Sequence, residues 1–243
     1  RYMIGATIPG LPGVLVGRNN DVAWGATYAC MDSCDSWIEE CKDKKYFKDG
    51  EWRSFKERKE VIKRKKHPDY HITFYENEHG VLDGNPEKAG FYLSTLWSGA
   101  NAGGDSLENF CKILYVQKTS DMMEYLGKGE FPFSWAIADS SGNIGYQMSG
   151  LLPKRASGSS GLIPLDGRKK ENDWQGFYSY TDLPRVYNPE CGYVASSNND
   201  LNSLAKIPAS NLPIDSYRIL RIRELLEKTP KHSPSTIKEI HYD

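Results

Sequence analysis

Three short stretches carry residue types suited to chemistry. Asp32-Ser33-Cys34-Asp35 sets two carboxylates three residues apart just past a strand end. Carboxylates and backbone carbonyls in a tight turn suit a hard cation such as Ca²⁺. An ordinary Asp-rich turn or a helix cap is the plainer reading of that pattern. Asn198-Asn199 closes a run that reads as a strand, Gly192 to Ser197. An amide there could aim an N–H at a developing oxyanion, although Asn pairs are also common in turns. Arg218 follows on a helix, where an arginine is ordinarily at the surface. No G-x-S-x-G elbow, Walker loop or H-E-x-x-H is present. The five histidines, His67, His71, His79, His232 and His241, are each read as surface residues, and none neighbours a promising Ser or Cys.

These residues need elements to hold them. Val14 to Val16, a Gly17-Arg18-Asn19-Asn20-Asp21 turn and Val22 to Tyr28 form a hairpin. Ser134 to Ala138 and Ile144 to Met148 form a second one. From Trp37 to Leu82 the chain is aromatic and basic with short alternations, which predicts a small all-β insertion. Its basic run, Lys56 to His67, reads as a strand with solvated lysines more simply than as a nucleic-acid patch. Helices are expected from caps at Asp105-Ser106 and Ser120-Asp121, then over Asp215 to Lys228 with Tyr217, Leu220, Ile222, Leu225 and Leu226 on its apolar side. Ser233-Pro234 starts a last helix. Ser157 to Asp173 reads as loop. The order of strands and helices predicts α+β layers rather than βαβ repeats.

At 243 residues, 26% charged and 39% hydrophobic, the chain is long enough for a sizeable core and reads as globular. A net charge of -1 gives no reason to expect nucleic acid or a membrane surface as a partner. The five cysteines, Cys30, Cys34, Cys41, Cys111 and Cys191, lack the paired knuckles of a zinc site and are read as buried or free thiols. Arg1-Tyr2-Met3-Ile4 reads as a cut in a longer chain, which would put any leader out of view.

Four motifs in order resemble the penicillin acylase (penicillin amidase) family of N-terminal nucleophile hydrolases. They are Pro12-Gly13-x3-Gly17-x-Asn19-x4-Trp24-Gly25-x-Thr27-x4-Asp32-x2-Asp35; Asn143-Ile144-Gly145-Tyr146 with Gly150; Asp173-Trp174-x-Gly176; and Leu183-Pro184 through Asn188-Pro189-x2-Gly192-Tyr193-x2-Ser196-x-Asn198-Asn199. The resemblance implies a four-layer αββα sandwich, incomplete here, over 1-36 and 83-243, with a β-rich knob over 37-82. It implies a transition-state cradle made of the Tyr28 backbone N–H and the Asn198 side chain, supported by Arg218, with Trp24 beside the substrate. It further implies a structural Ca²⁺ held by Asp32, Asp35, the backbone oxygens of Cys34 and Gly161, and Asn211.

The resemblance also implies an amide hydrolase acting on a linear N-acyl substrate, periplasmic or secreted, whose nucleophile is a serine freed by self-cleavage. No such serine stands near Arg1, so the partners expected are the remaining segments of the same precursor: a smaller subunit and the strands that bear the nucleophile. The chain alone is then expected to be inactive and to self-associate through unpaired sheet edges. Two departures stand out. Arg18 replaces the family's usual histidine, and Asn211 replaces an acid, which removes a negative charge from the cation site. A degenerate member kept as a binding or structural module is the alternative, and a basic-patch binder using Lys56 to His67 is a third.

Overall fold

The computed structural model describes residues 2–11, 13–212 and 214–243. Pro12 of the first motif and Arg1 at the start of the expected core lie outside the described residues. In chain order the strands are β1 (Ile4–Ala6), β2 (Val16–Arg18), β3 (Val22–Tyr28), β4 (Cys34–Lys42), β5 (Lys45–Lys48), β6 (Glu51–Ser54), β7 (Lys56–Ile62), β8 (Tyr70–Asn77), β9 (Gly80–Asp83), β10 (Gly90–Trp97), β11 (Phe133–Asp139), β12 (Ile144–Met148), β13 (Leu165–Asp166) and β14 (Arg185–Tyr187). The helices are α1 (Gly104–Lys112), α2 (Thr119–Gly127), α3 (Tyr217–Glu227) and α4 (Pro234–His241). They form two compact units, one of 1–31, 102–151 and 178–243, the other of 32–101 and 152–177.

The first unit holds a six-stranded sheet in the order β1-β2-β3-β11-β12-β14, antiparallel throughout. Both expected hairpins belong to it. Val22, Trp24, Trp135 and Ile137 project from its central strands onto α1 and α2, where Phe110, Met122, Met123 and Leu126 complete a buried core. Each such side chain contributes about 1.5–3 kcal/mol on burial. Gly145 allows the close approach of α2, because a Cβ there would strike Met123 and Thr119. On the opposite face Gly25 pairs with Ala136 and Ala23 with Ala138, a smooth strip of small residues. This unit therefore supplies one sheet and one helical layer of the expected sandwich.

The helices stand where the pattern placed them, but their caps differ. Neither Asp105-Ser106 nor Ser120-Asp121 caps its helix; no side-chain cap bond forms at Gly103 or Lys118. Carboxylates from elsewhere do the work. Glu130 Oε2 accepts from the N–H of Gly103 (2.6 Å) and of Ser106 (3.2 Å), and Asp139 Oδ2 accepts from Thr119 N–H (3.0 Å). A negative charge at a helix N-terminus satisfies the free N–H groups and opposes the helix dipole favourably. In α3 the expected apolar side is only partly covered: Tyr217 and Leu220 are 67% and 57% exposed, Ile222, Leu225 and Leu226 are half-buried, and Ile219 is the buried residue. At α4 the expected Ser233 cap forms, as a capping box with Thr236.

The second unit is an eight-stranded sheet, β6-β5-β4-β10-β9-β8-β7, with β13 parallel to β4. Its residues are 32–101 and 152–177. Strand β7 is exposed at every residue, as its solvated-lysine pattern predicted. His79 departs from its expected surface position: it is 1% exposed and stacked on Trp37 at 4.5 Å. The cause is a buried polar cluster. Glu39 Oε1 lies 2.7 Å from His79 Nδ1, while Nε2 lies 2.8 Å from Asp173 Oδ1 and 3.1 Å from the buried Lys48 Nζ. All five cysteines are free thiols and only Cys41 is buried.

Candidate active site

Tyr28 is the last residue of β3, and the ladder sets where its backbone points. Ala29 N–H donates to Pro132 O (3.0 Å), so the next pair along, Tyr28 with Phe133, is the one that exchanges no hydrogen bonds. Phe133 confirms the parity: its own oxygen accepts from Ser149 N–H (2.9 Å), on the other side of β11. The N–H and C=O of Tyr28 are thus turned away from β11, to the side where Asn198 sits. Tyr28 itself is 60% exposed.

Residues 192–197, expected as a strand, have no ladder partner, and the neighbouring strand is instead β14. Side chains take over their hydrogen bonds: Asn199 Oδ1 accepts from Ser197 N–H (3.1 Å), and Arg218 donates to Ser197 O. Asn198 then turns into the left-handed region at φ 65, which asparagine tolerates better than most residues. Its amide is fixed at both ends. Nδ2 donates to Tyr28 O (2.7 Å) and Thr27 Oγ1 (2.8 Å), and Oδ1 accepts from Arg218 (3.0 Å). Because a guanidinium can only donate, it decides which end of the amide is oxygen and points the NH₂ group at Tyr28. Three residues singled out in the sequence, Tyr28, Asn198 and Arg218, are therefore brought together. Trp24 is 3% exposed in the core, with its indole N–H bonded to Val14 O (3.1 Å). Among the described residues no histidine or lysine hydrogen-bonds to Thr27, Cys30, Ser196 or Ser197.

The acidic stretch, expected as a turn, lies in the second unit, where Cys34 and Asp35 are already the first residues of β4. Asp35 is 3% exposed, and its Oδ2 accepts from Arg155 Nε (2.7 Å) and from Trp174 Nε1 (2.5 Å). Arg155 also reaches Asp32 Oδ2 (3.0 Å) and donates to Asp32 O (3.0 Å). Gly161, at φ 73, runs against the Asp32 carboxylate, where any Cβ would collide. Burial, then the carboxylates of Asp35 and Asp32, push the Cys34 thiol above its ordinary value. The Cys34 carbonyl is available by geometry. Ser98 N–H donates to Ser33 O, so the adjacent Cys34–Trp97 pair exchanges no bonds and Cys34 O turns away from β10. Asp35 Oδ1 is buried without a hydrogen-bond partner. A buried carboxylate oxygen left unpaired is costly, and a cation would satisfy it. The residues of the turn therefore fit a calcium ion through oxygen donors. Asn211, the remaining expected ligand, belongs to the first unit.

Sequence reasoning missed Arg155 and the Lys48–His79–Glu39 cluster. Arg155 stands alone before a Gly-Ser stretch, and nothing in its spacing marks it as the partner of residues some 120 positions earlier. Glu78, His79 and Asp173 come close enough to one another to hold a metal. Lys48 Nζ already stands among them, 2.5 Å from Asp173 and 2.9 Å from Glu78. Burial pushes Glu78 up, but the hydrogen bonds from Lys48 and Tyr46 outweigh it and hold the carboxyl at about 2.

The penicillin amidase family model matches residues 2–243. Penicillin G acylase of Escherichia coli is 29% identical over 90% of this chain and 26% of its own length. An acyl-homoserine lactone acylase, QuiP, of Pseudomonas aeruginosa is 25% identical over 98% of the chain and 30% of its own. Penicillin acylase 2 proenzyme of a Pseudomonas species is 28% identical over 99% of the chain and 32% of its own. The chain thus spans about a quarter to a third of the length of these relatives. A thermostable penicillin G acylase from Alcaligenes faecalis superposes with a TM-score of 0.83 at 25% identity, covering 98% of this chain and 46% of that one. The fold is therefore the α+β fold of the N-terminal nucleophile hydrolases, and the chain belongs to the penicillin amidase family of amide hydrolases.

Proposed function

We propose that this chain supplies the charge-stabilising half of an amide-hydrolase site. The Tyr28 backbone N–H and the Asn198 amide are the donors that receive the oxyanion of a tetrahedral intermediate. The observation that carries this reading is the Asn198 amide, locked by Arg218 with its NH₂ group against Tyr28. Donors fixed before the reaction lower the barrier because they need not reorganise as charge develops. In the resting arrangement Nδ2 is bonded to Tyr28 O and Thr27 Oγ1, so the oxyanion must draw one of these N–H groups to itself. The nucleophile comes from outside the described residues, and the chain alone does not turn over an N-acyl amide. The partners are the other segments of the same precursor, and the substrate is a linear N-acyl amide such as a penicillin or an acyl-homoserine lactone. A structural calcium is held by the Asp32 and Asp35 carboxylates and the carbonyl of Cys34, beside Gly161. The protein works in the periplasm or outside the cell.

The test is the full-length protein with the substitution Asn198→Gly. Glycine accepts the left-handed backbone, so the amide is removed without adding strain. The turnover number for a chromogenic N-acyl amide should fall about 10²–10³-fold with little change in KM. An unchanged turnover number removes Asn198 from the oxyanion cradle. A full-length protein that is folded and inert toward every such amide would instead favour a non-catalytic binding module.

A further inference from the structure

The acidic turn already contains a cation. Arg155 lies across both carboxylates, bonded to Oδ2 of each and to the Asp32 carbonyl, with 11% of its side chain exposed. A calcium ion needs six to eight oxygens and takes them from these same groups. Asp32 Oδ2 and Asp35 Oδ2 already accept from the guanidinium, and an ion bound to the same two atoms would be repelled by it at close range. With the arginine in place, Asp35 Oδ1 has no hydrogen-bond partner and the Cys34 carbonyl faces away from β10.

The backbone makes this competition more than local. Arg155 stands at one side of the neck of a long loop and Trp174 at the other. The neck is closed by Lys154 N–H to Gly176 O (2.8 Å), Gln175 N–H to Lys154 O (2.8 Å) and a bridge between Pro153 and Phe177. Both sides of the neck clamp the same atom, Asp35 Oδ2.

We propose that Arg155 is a resident competitor of calcium: it closes the Asp32–Asp35 turn when the ion is absent, and its withdrawal is part of the work of binding the ion. This rests on the calcium reading above. It assigns to Arg155 the setting of the affinity, and to the 152–177 loop a response to ion occupancy.

The experiment is calcium titration by calorimetry on the full-length protein after chelator treatment, with melting temperatures measured in excess chelator and in excess Ca²⁺. Arg155→Gln removes the competing charge, and the dissociation constant should tighten about tenfold to a hundredfold, the equivalent of one charge-assisted hydrogen bond. The stabilisation on adding Ca²⁺ should be larger in Arg155→Gln than in the parent. Arg155→Lys keeps the charge but loses the planar fork that spans both carboxylates, so its affinity should fall between the two. Asp35→Asn should abolish binding in both backgrounds. If the parent binds calcium and Arg155→Gln binds no tighter, the competition is refuted while the calcium site stands. If neither binds, the calcium reading falls and the inference with it. Should Arg155→Gln not fold, Arg155→Lys decides: binding no tighter than the parent overturns the proposal.

Discussion

Removing the Arg218 guanidinium tests whether it acts on catalysis only through Asn198. Arg218→Ala deletes the donor to Asn198 Oδ1, 3.0 Å away, together with the one to Ser197 O, and leaves the Nδ2 bonds to Tyr28 O and Thr27 Oγ1 at 2.7 and 2.8 Å. The bond lost by the amide is charge-assisted, with a contribution of about 1.5–3 kcal/mol, and each bond it retains contributes about 1 kcal/mol. The amide therefore keeps its preferred orientation in part, and the rate should fall about tenfold rather than vanish. Asn198→Gly removes the donor outright and should cost about 10²–10³ in turnover number. The double variant is the sharp comparison. If Arg218 works by orienting Asn198, nothing is left for it to orient, and the double variant should match Asn198→Gly within about twofold.

The assay is the turnover number and KM for one N-acyl amide with the full-length protein and its three variants, each checked for an unchanged melting temperature. Arg218 is a positioning residue on this account, so KM should stay near the parent value. Losses that multiply in the double variant, about 10³–10⁴ in all, would refute the reasoning. They would mean that Arg218 meets the developing charge directly.

The remaining predictions concern the frame of the site. Burial pushes the Asp139 carboxyl up, but donation from the Thr119 and Asn143 N–H groups outweighs it and holds the group at about 2, below its ordinary 3.8. The stability it contributes is complete above about pH 4 and is lost as pH falls from about 4 toward 2. Asp139→Asn should flatten the acid limb of a urea-unfolding profile over that window, and an unchanged limb would rule out Asp139 as its cause. Lys48→Met strands the Asp173 and Glu78 carboxylates, 2.5 and 2.9 Å from the lost ammonium, and should cost about 3 kcal/mol in urea unfolding. A cost below about 1 kcal/mol would show that the cluster does not depend on that ammonium. Gly145→Val should displace α2 from β12, because the added side chain meets Met123 and Thr119. Its circular dichroism should lose helical signal or its melting temperature should fall, and a parent-like melt would show that α2 yields without loss.

Period-two alternation marks β3, the β11–β12 hairpin and β8, but it places the strand before β3 at Val14–Val16 rather than Val16–Arg18 and marks neither β1 nor β10. The other failures share one physical cause: long-range polar contacts leave no local pattern. Helices α1 and α2 carry plausible caps of their own, yet Glu130 and Asp139 serve them from elsewhere in the chain. Gly192 to Ser197 has strand composition but no ladder partner, and at Ser197 both backbone groups are bonded by the Asn199 and Arg218 side chains. His79 sits in a polar, charged stretch, and only the fold reveals Glu39 and Asp173 on either side of its ring. The resemblance, and no property of spacing, brought Tyr28, Asn198 and Arg218 together on paper.

Trp24 shows how a buried side chain can govern the direction of a backbone group further along its strand. The Tyr28 N–H faces Asn198 only because Tyr28 and Phe133 are a pair without mutual hydrogen bonds. A one-residue slip of β3 on β11 would turn that N–H into the ladder and remove it from any oxyanion. The slip would also carry Val22 and Trp24, 2% and 3% exposed, from the helix-covered core to the face of Gly25 and Ala23. Losing the burial of two such side chains costs about 3–6 kcal/mol, far more than one misplaced donor could cost in stability. The ladder also stops in the right place. Pro132 can accept from Ala29 but has no N–H to return, so regular pairing ends one residue beyond Tyr28. Core packing thus fixes the direction of the Tyr28 N–H, and a substitution at Trp24 would reach the proposed oxyanion cradle through the register of the sheet.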